Sequence, residues 1–358
     1  MRRAVSALLI LALAVSGCSI AKPETATTPV TEQSESVVTS VTEAPTTATT
    51  TEDPTPTPTP EPEPYPFNPH VHSGLLEEAV KEEWWDSFYN MCDAMREGRD
   101  SFECLDEDAY RWCTNEATLG ELFPAACTLV VGDGYKDGEA KLKYKIDKES
   151  FAARQSAFEE EVVRMVNDAV RSDYTDFEKL MGLYDHLTLN FAYDYDDIDG
   201  NTIDEFSTYA CLTTKKGICC EIASALAYLL LQCGVEAVSM SGHGDNMDHE
   251  WTYVVIDGKG YHVDATWGVR GGNPDQPLLL NYFMQTDDER VGDGFDRDRF
   301  EVNAVSLWKA DYDKSRFAAT DEKFKELHFN AEFIRMDRAK KVIKYRDSGW
   351  NIREFPYE

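Results

Sequence analysis

The chain has 358 residues, and 66 acidic against 35 basic side chains leave a formal net charge of −31 at pH 7. Such an excess of negative charge excludes nucleic acid as a partner, since phosphate binding needs clustered lysine and arginine. It suits an exported, soluble protein that favours neutral or cationic substrates over acidic ones.

At the start, Arg2-Arg3 precede an apolar run from Ala4 to Val15 that is too short to span a bilayer, and Val15-Ser16-Gly17-Cys18 closes it. A basic start, a short apolar core and small residues before a cysteine resemble a bacterial lipoprotein signal over residues 1–18. That implies cleavage before Cys18, acylation of its thiol, and an extracytoplasmic protein held on the cell membrane through Cys18. An ordinary secretory signal would also place the protein outside the cytoplasm. Residues 19–66 are rich in Thr, Pro, Glu and Ser and nearly free of aromatic side chains, so they cannot bury enough surface to fold. Proline at nearly every second position from Thr55 to Pro66 predicts an extended, semi-rigid stalk.

Residues 67–176 read as an α+β scaffold. Trp84, Trp85, Phe88 and Met91 predict a helix with an aromatic face between about Leu76 and Arg96. Cys127 to Val131 and Ala140 to Ile146 read as strands around a Gly132-Asp133-Gly134 turn, and Phe158 to Val170 as an amphipathic helix. This region is expected to pack on a catalytic core and shape one wall of its cleft.

The core is read at residues 177–290. Gly217-Ile218-Cys219 opens an apolar run that stops at Gly234, a natural residue after a helix end. Cys219 then sits in the first turn, where free backbone N–H groups and the helix dipole favour a thiolate and face a developing oxyanion. Val235 to Ser241, Trp251 to Ile256 and Lys259 to Thr266 read as strands, the last two joined by Asp257-Gly258, a strong hairpin signal. With that turn Trp251 faces Asp264, and His249 becomes its diagonal neighbour at roughly 7 Å, within reach of a hydrogen bond. A register with Ile256 opposite Tyr261 would separate them by about 13 Å and break the set. Cys, His and Asp in this order form the layout of a thiol acyl-transfer site, in which a thiolate attacks, an imidazole carries the proton and a carboxylate orients the imidazole.

The stretches Lys216-Gly217-Ile218-Cys219-Cys220-Glu221-Ile222-Ala223, His249-Glu250-Trp251 and Tyr261-His262-Val263-Asp264-Ala265-Thr266-Trp267 resemble the transglutaminase-like superfamily, with Tyr193-Asp194 and Asn281-Tyr282-Phe283 as further landmarks. The resemblance implies an α+β fold with a papain-like core, the cysteine at a helix N-terminus and His and Asp on an antiparallel sheet. It implies Cys219 as nucleophile, His249 as general base and acid, and Asp264 as orienting carboxylate. Cys220 stands where many relatives carry Gln or Glu, and only one of two consecutive helix residues, about 100° apart, can face His249. Tyr209 resembles a family aromatic and reads either as an oxyanion donor or as a structural tyrosine. His243 reads as a loop residue over the cleft and His262 as structural.

Residues 291–358 read as an extension packed on the core, with Leu307-Trp308 and a basic patch from Arg338 to Lys341. Eight cysteines follow Cys18. Cys92, Cys104, Cys113 and Cys127 could bridge in the scaffold, and Cys220 could form a reversible disulfide that blocks the site. The acidic run Asp194 to Asn201 does not fit an EF-hand loop, and adjacent Cys219-Cys220 is no chelating pair, so neither metal nor cofactor is expected. The composite expectation is a cysteine-dependent amide hydrolase or acyltransferase acting on peptides or proteins through a thioester, protease or deamidase ahead of crosslinking. The alternative is a catalytically silent binding module on the same fold.

Overall fold

The computed structural model describes residues 61–195, 207–244 and 247–358. The signal, Cys18, nearly all of the stalk and most of the Asp194–Asn201 run lie outside the described residues. The chain enters as an extended strap. The Tyr65 amide and carbonyl bond the side chain of Asn167, and the Asn68 amide and carbonyl bond that of Gln232.

Helix α1 spans Trp84–Arg96 and buries Trp84, Trp85, Phe88 and Met91 as the periodicity requires. It starts later than the sequence suggests, because Ser73 caps a separate short turn at Gly74–Leu76. Strand β1 (Ser101–Glu103), helices α2 (Glu107–Cys113) and α3 (Glu116–Leu122), and strands β2 (Val130–Lys136) and β3 (Glu139–Tyr144) complete a small antiparallel sheet ordered β1-β3-β2. The expected Gly132-Asp133-Gly134 turn is corrected here. Strand β2 runs through that triplet with a register shift, and the reversal lies at Asp137-Gly138, both at positive φ. Gly132 is needed for packing instead, since a Cβ there would lie 2.3 Å from the Tyr110 hydroxyl. Helix α4 spans Lys148–Ala169, ten residues longer at its start than the apolar period suggests, because Asp147 caps it by accepting from the Ser150 amide at 2.8 Å.

The core follows with α5 (Asp176–Asn190), β4 (Ala192–Tyr193), α6 (Thr208–Thr214), β5 (Lys216–Gly217) and α7 (Cys219–Gln232). Strands β6 (Ala237–His243), β7 (Asp248–Ile256) and β8 (Lys259–Val263) come next. Helix α7 is apolar almost all round, as a central helix must be. It packs on β6 and β7, where the Thr252 hydroxyl donates to the Ala223 carbonyl at 2.9 Å, and it contacts α3, α4, α5 and α6 on its other sides. Strands β9 (Leu278–Leu279), helix α8 (Asp287–Gly292), strand β10 (Glu301–Val302) and helix α9 (Asn303–Ser306) lead to β11 (Glu332–Asp337), β12 (Val342–Arg346) and β13 (Ile352–Pro356). Two antiparallel sheets result, ordered β10-β6-β7-β8 and β13-β12-β11-β9.

The tail's basic patch closes on α5. Buried Glu178 accepts from Arg338 Nε and Lys341 Nζ, both at 3.2 Å, and from the Tyr357 hydroxyl at 2.6 Å. Glu178 also belongs to the capping box of α5 with Thr175. All eight described cysteines are free thiols, so the expected scaffold bridges are not formed.

Candidate active site

The hairpin register places the site. Asp257 and Gly258, at φ of 53° and 73°, form the two-residue loop, and Ile256 pairs Lys259 up to Thr252 pairing Val263. One step further out, Asp264 comes opposite Trp251 and diagonal to His249. His249 Nε2 donates to Asp264 Oδ2 at 2.7 Å, with both side chains buried. The other ring nitrogen is left free of Asp264, and Cys219 lies near enough to the imidazole to help raise its pKa.

Asp264 is fully enclosed. Its Oδ1 accepts from the Trp267 amide at 3.2 Å, and its Oδ2 also accepts from Arg290 at 3.1 Å. Burial opposes its charge, yet His249, Arg290 and the amide together hold the carboxyl below its ordinary range. Burial likewise opposes charge on His249, but Asp264 and the Cys219 thiol outweigh it and raise the imidazole to about 9. The ring is further held against Trp267, stacked at 4.9 Å and 9°.

Cys219 is the first residue of α7 and is partly exposed. Glu221, in the first turn, accepts from the Ile218 amide at 3.0 Å and from the Ser207 amide at 2.5 Å, fixing the chain just before the thiol. Gly217 has no room for a side chain, since a Cβ would lie 2.9 Å from Cys211 Sγ and 3.0 Å from Glu221. Cys220 faces differently. Burial first, then Glu250, Cys219 and Glu221, push its thiol well above the ordinary value, which disfavours a thiolate there.

Tyr209, the oxyanion candidate, lies on α6 with its ring 3.3 Å from the Arg154 guanidinium and against Phe158 of α4. These contacts pack α6 on α4. The backbone amides of the first turn of α7 are the donors nearest to Cys219 along the chain. His243 ends β6 and pairs with Asp248 at 2.8 Å. His262 is buried, accepting from Trp251 Nε1 and bonded through Nε2 to Asp287, both at 2.8 Å, so it braces the sheet behind the site.

Three groups escaped the sequence reading. Arg290 sits beneath Asp264, Glu250 approaches Cys220 and His249, and Glu121, raised by burial to about 7, accepts from Ser239. Arg290 and Glu121 carry no local motif, and Glu250 entered only as a member of the His249-Glu250-Trp251 stretch. The site opens into a cleft of about 390 Å³ whose walls are the Tyr193 and Tyr195 rings on one side and Trp267, Val269 and Tyr282 on the other. Among the described residues no group of three or more His, Cys, Asp or Glu side chains is arranged to hold a metal, and no helix is long and apolar enough to cross a membrane.

Residues 163–265 match the family model of the transglutaminase-like superfamily core, a span that begins within α4 and ends one residue past Asp264. A comparison with curated proteins finds no match. Among solved structures, the chain is similar to a candidate cysteine protease from Cytophaga hutchinsonii, at 14% identity and a TM-score of 0.26, covering 43% of this chain and 63% of that one. It is also similar to a TGase at 14% identity and a TM-score of 0.29, covering 48% of this chain and 50% of that one. The chain thus spans less than two thirds of the length of either solved structure.

Proposed function

We propose that the transglutaminase-like domain at residues 163–265 carries a working thiol acyl-transfer site. In this reading the protein is a cysteine-dependent amide hydrolase or acyltransferase acting on peptides or proteins. The observation that carries it is the single line of contacts from Asp264 through His249 to Cys219 at the head of α7. The Cys219 thiolate attacks the amide carbonyl while first-turn amides receive the oxyanion. The C–N bond then breaks as the His249 imidazolium gives its proton to the leaving amine, and a thioester forms on Cys219. Water, deprotonated by His249, attacks the thioester, releases the acid and restores the thiol. An amine in its place gives transfer. Hydrolysis by a protease or deamidase is placed ahead of crosslinking in this reading, since the sequence offers no acidic channel to guide a lysine. The lipoprotein-like start adds that the domain works outside the cytoplasm, tethered at Cys18 to the cell membrane.

The test is acid-quenched mass spectrometry of the full chain with a library of peptide amides. We expect an acyl adduct on Cys219, and neither adduct nor turnover in a folded Cys219→Ala variant. Undiminished turnover in that variant would reject Cys219 as the nucleophile. Folded wild type that forms no adduct and turns over no amide supports the binding-module alternative.

A further inference from the structure

Arg290, on the short helix α8, is a fully enclosed cation among aromatic rings. Its guanidinium lies 4.0 Å from the ring centre of Trp251, 4.8 Å from Phe295 and 4.9 Å from Trp267. One terminal nitrogen donates to Asp264 Oδ2 at 3.1 Å. The other donates to Gln285 Oε1 at 3.2 Å and Asp293 Oδ2 at 3.3 Å. The same Asp264 oxygen receives His249 Nε2 at 2.7 Å. One carboxylate oxygen is therefore divided between two cationic groups, one fixed and one that titrates.

We propose that Arg290 is a positioning residue that sets the pH range of the Cys219–His249 pair by sharing Asp264 Oδ2 with His249. The inference rests on the acyl-transfer reading of the site. Arg290 acts on His249 through the Asp264 carboxylate, and Trp267 and Phe295 pack against both the guanidinium and the imidazole ring. A guanidinium is charged at every working pH, and its planar fork holds the carboxylate in one orientation while Trp267 stacks on the imidazole. Its positive charge also competes for the carboxylate, so His249 draws less from Asp264 than it would from an unshared partner. The other ionisable groups around the pair are accounted for. Cys219 and Glu250 interact electrostatically with His249, Cys220 and Glu221 stand beside Cys219, and Tyr282 lines the cleft near Asp264. Behind Asp264, the Tyr184 hydroxyl donates to its backbone carbonyl at 3.3 Å. Asp293 faces Arg290, while Asp287 is taken up by His262. The cations in contact with the Asp264 carboxylate are His249 and Arg290.

Loss of this fixed charge makes the protonated imidazole more favourable, so His249 holds its proton to higher pH. The experiment is the rate of Cys219 alkylation by iodoacetamide against pH, read by peptide mapping of the full chain, with near-UV circular dichroism to verify folding. Wild type gives an inflection where the His249 imidazolium titrates, at about 9. In Arg290→Met this inflection moves up by on the order of one pH unit, the effect of removing one neighbouring charge. In Arg290→Lys, which keeps the charge but not the fork, the inflection stays in place and the rate below it falls.

A folded Arg290→Met with an unmoved inflection overturns the proposal. If that variant does not fold, Arg290→Lys decides alone, because a displaced inflection with the charge still present, or an unchanged rate, overturns it equally. Wild type whose Cys219 alkylates no faster than the buried cysteines overturns the acyl-transfer reading beneath it, a result distinct from a reactive wild type whose variants keep its inflection.

Discussion

Asp264→Asn separates charge from shape at the centre of the site. The substitution preserves size and removes the negative charge that His249, Arg290 and the Trp267 amide share. His249 is raised from 6.5 to about 9. At roughly 1.4 kcal/mol per pH unit this corresponds to about 3 kcal/mol of preferential stabilisation of the imidazolium, an upper bound for Asp264 because the thiol contributes part of it. The sign follows from linkage. A histidine with a raised folded-state value adds stability that is complete below about pH 6.5 and is lost as pH rises through about 9. Removal of the carboxylate also leaves Arg290 enclosed without its main partner, a penalty of about 3–5 kcal/mol that does not vary over this pH range. Urea unfolding of wild type and variant from pH 6 to pH 10 should therefore show Asp264→Asn less stable throughout. The gap should narrow by about 2–3 kcal/mol toward pH 10 as the wild type loses its charged pair. A gap of constant size across that range would refute an ion pair between His249 and Asp264. Turnover by the variant, once a substrate is in hand, should fall by about 10⁴-fold through loss of the imidazole's orientation.

Other substitutions probe the surroundings. Glu121 is raised by burial to about 7, so its ionisation costs stability as pH climbs from the unfolded value near 4.5 to about 7 and beyond. Glu121→Gln, which still accepts from Ser239, should be more stable than wild type by about 1–2 kcal/mol at pH 8 and no more stable at pH 4, as read by urea midpoints. Equal gains at both values would dismiss the buried-carboxylate argument. Tyr357→Phe removes a 2.6 Å hydrogen bond to enclosed Glu178 and should cost about 1–2 kcal/mol in thermal unfolding. Cys219 alkylation should be unaffected, and a loss of reactivity would show that the tail clamp reaches the site.

What the sequence disclosed was set by how far apart the deciding residues lie. Asp257-Gly258 holds its turn by its own chemistry, and from that turn alone the His249–Asp264 diagonal follows. Helix α7 was equally legible, because Gly217 and Gly234 bracket an unbroken apolar run. Gly132-Asp133-Gly134 misled for the opposite reason. Its first glycine answers to the ring of Tyr110 on another element, which no local pattern reports. The start of α4 was missed because Asp147 signals by capping, whereas the apolar period becomes plain only later. Arg290 was invisible in a run of acidic neighbours, since its meaning lies 26 residues back at Asp264. Glu178 and Tyr357, 179 residues apart, are further from local inference still.

The strap at the entrance to the fold has a mechanical consequence. Whatever pulls on the chain ahead of residue 61 is received at Asn167 near the end of α4 and at Gln232, the last residue of α7. Cys219 occupies the opposite end of that helix, about 20 Å away at 1.5 Å per residue. Tension is thus delivered at the far end of a rigid rod wedged on every side. The hydrogen bonds at Tyr65 and Asn68 meet any such load near the end of α4 and at the end of α7 farthest from the thiol.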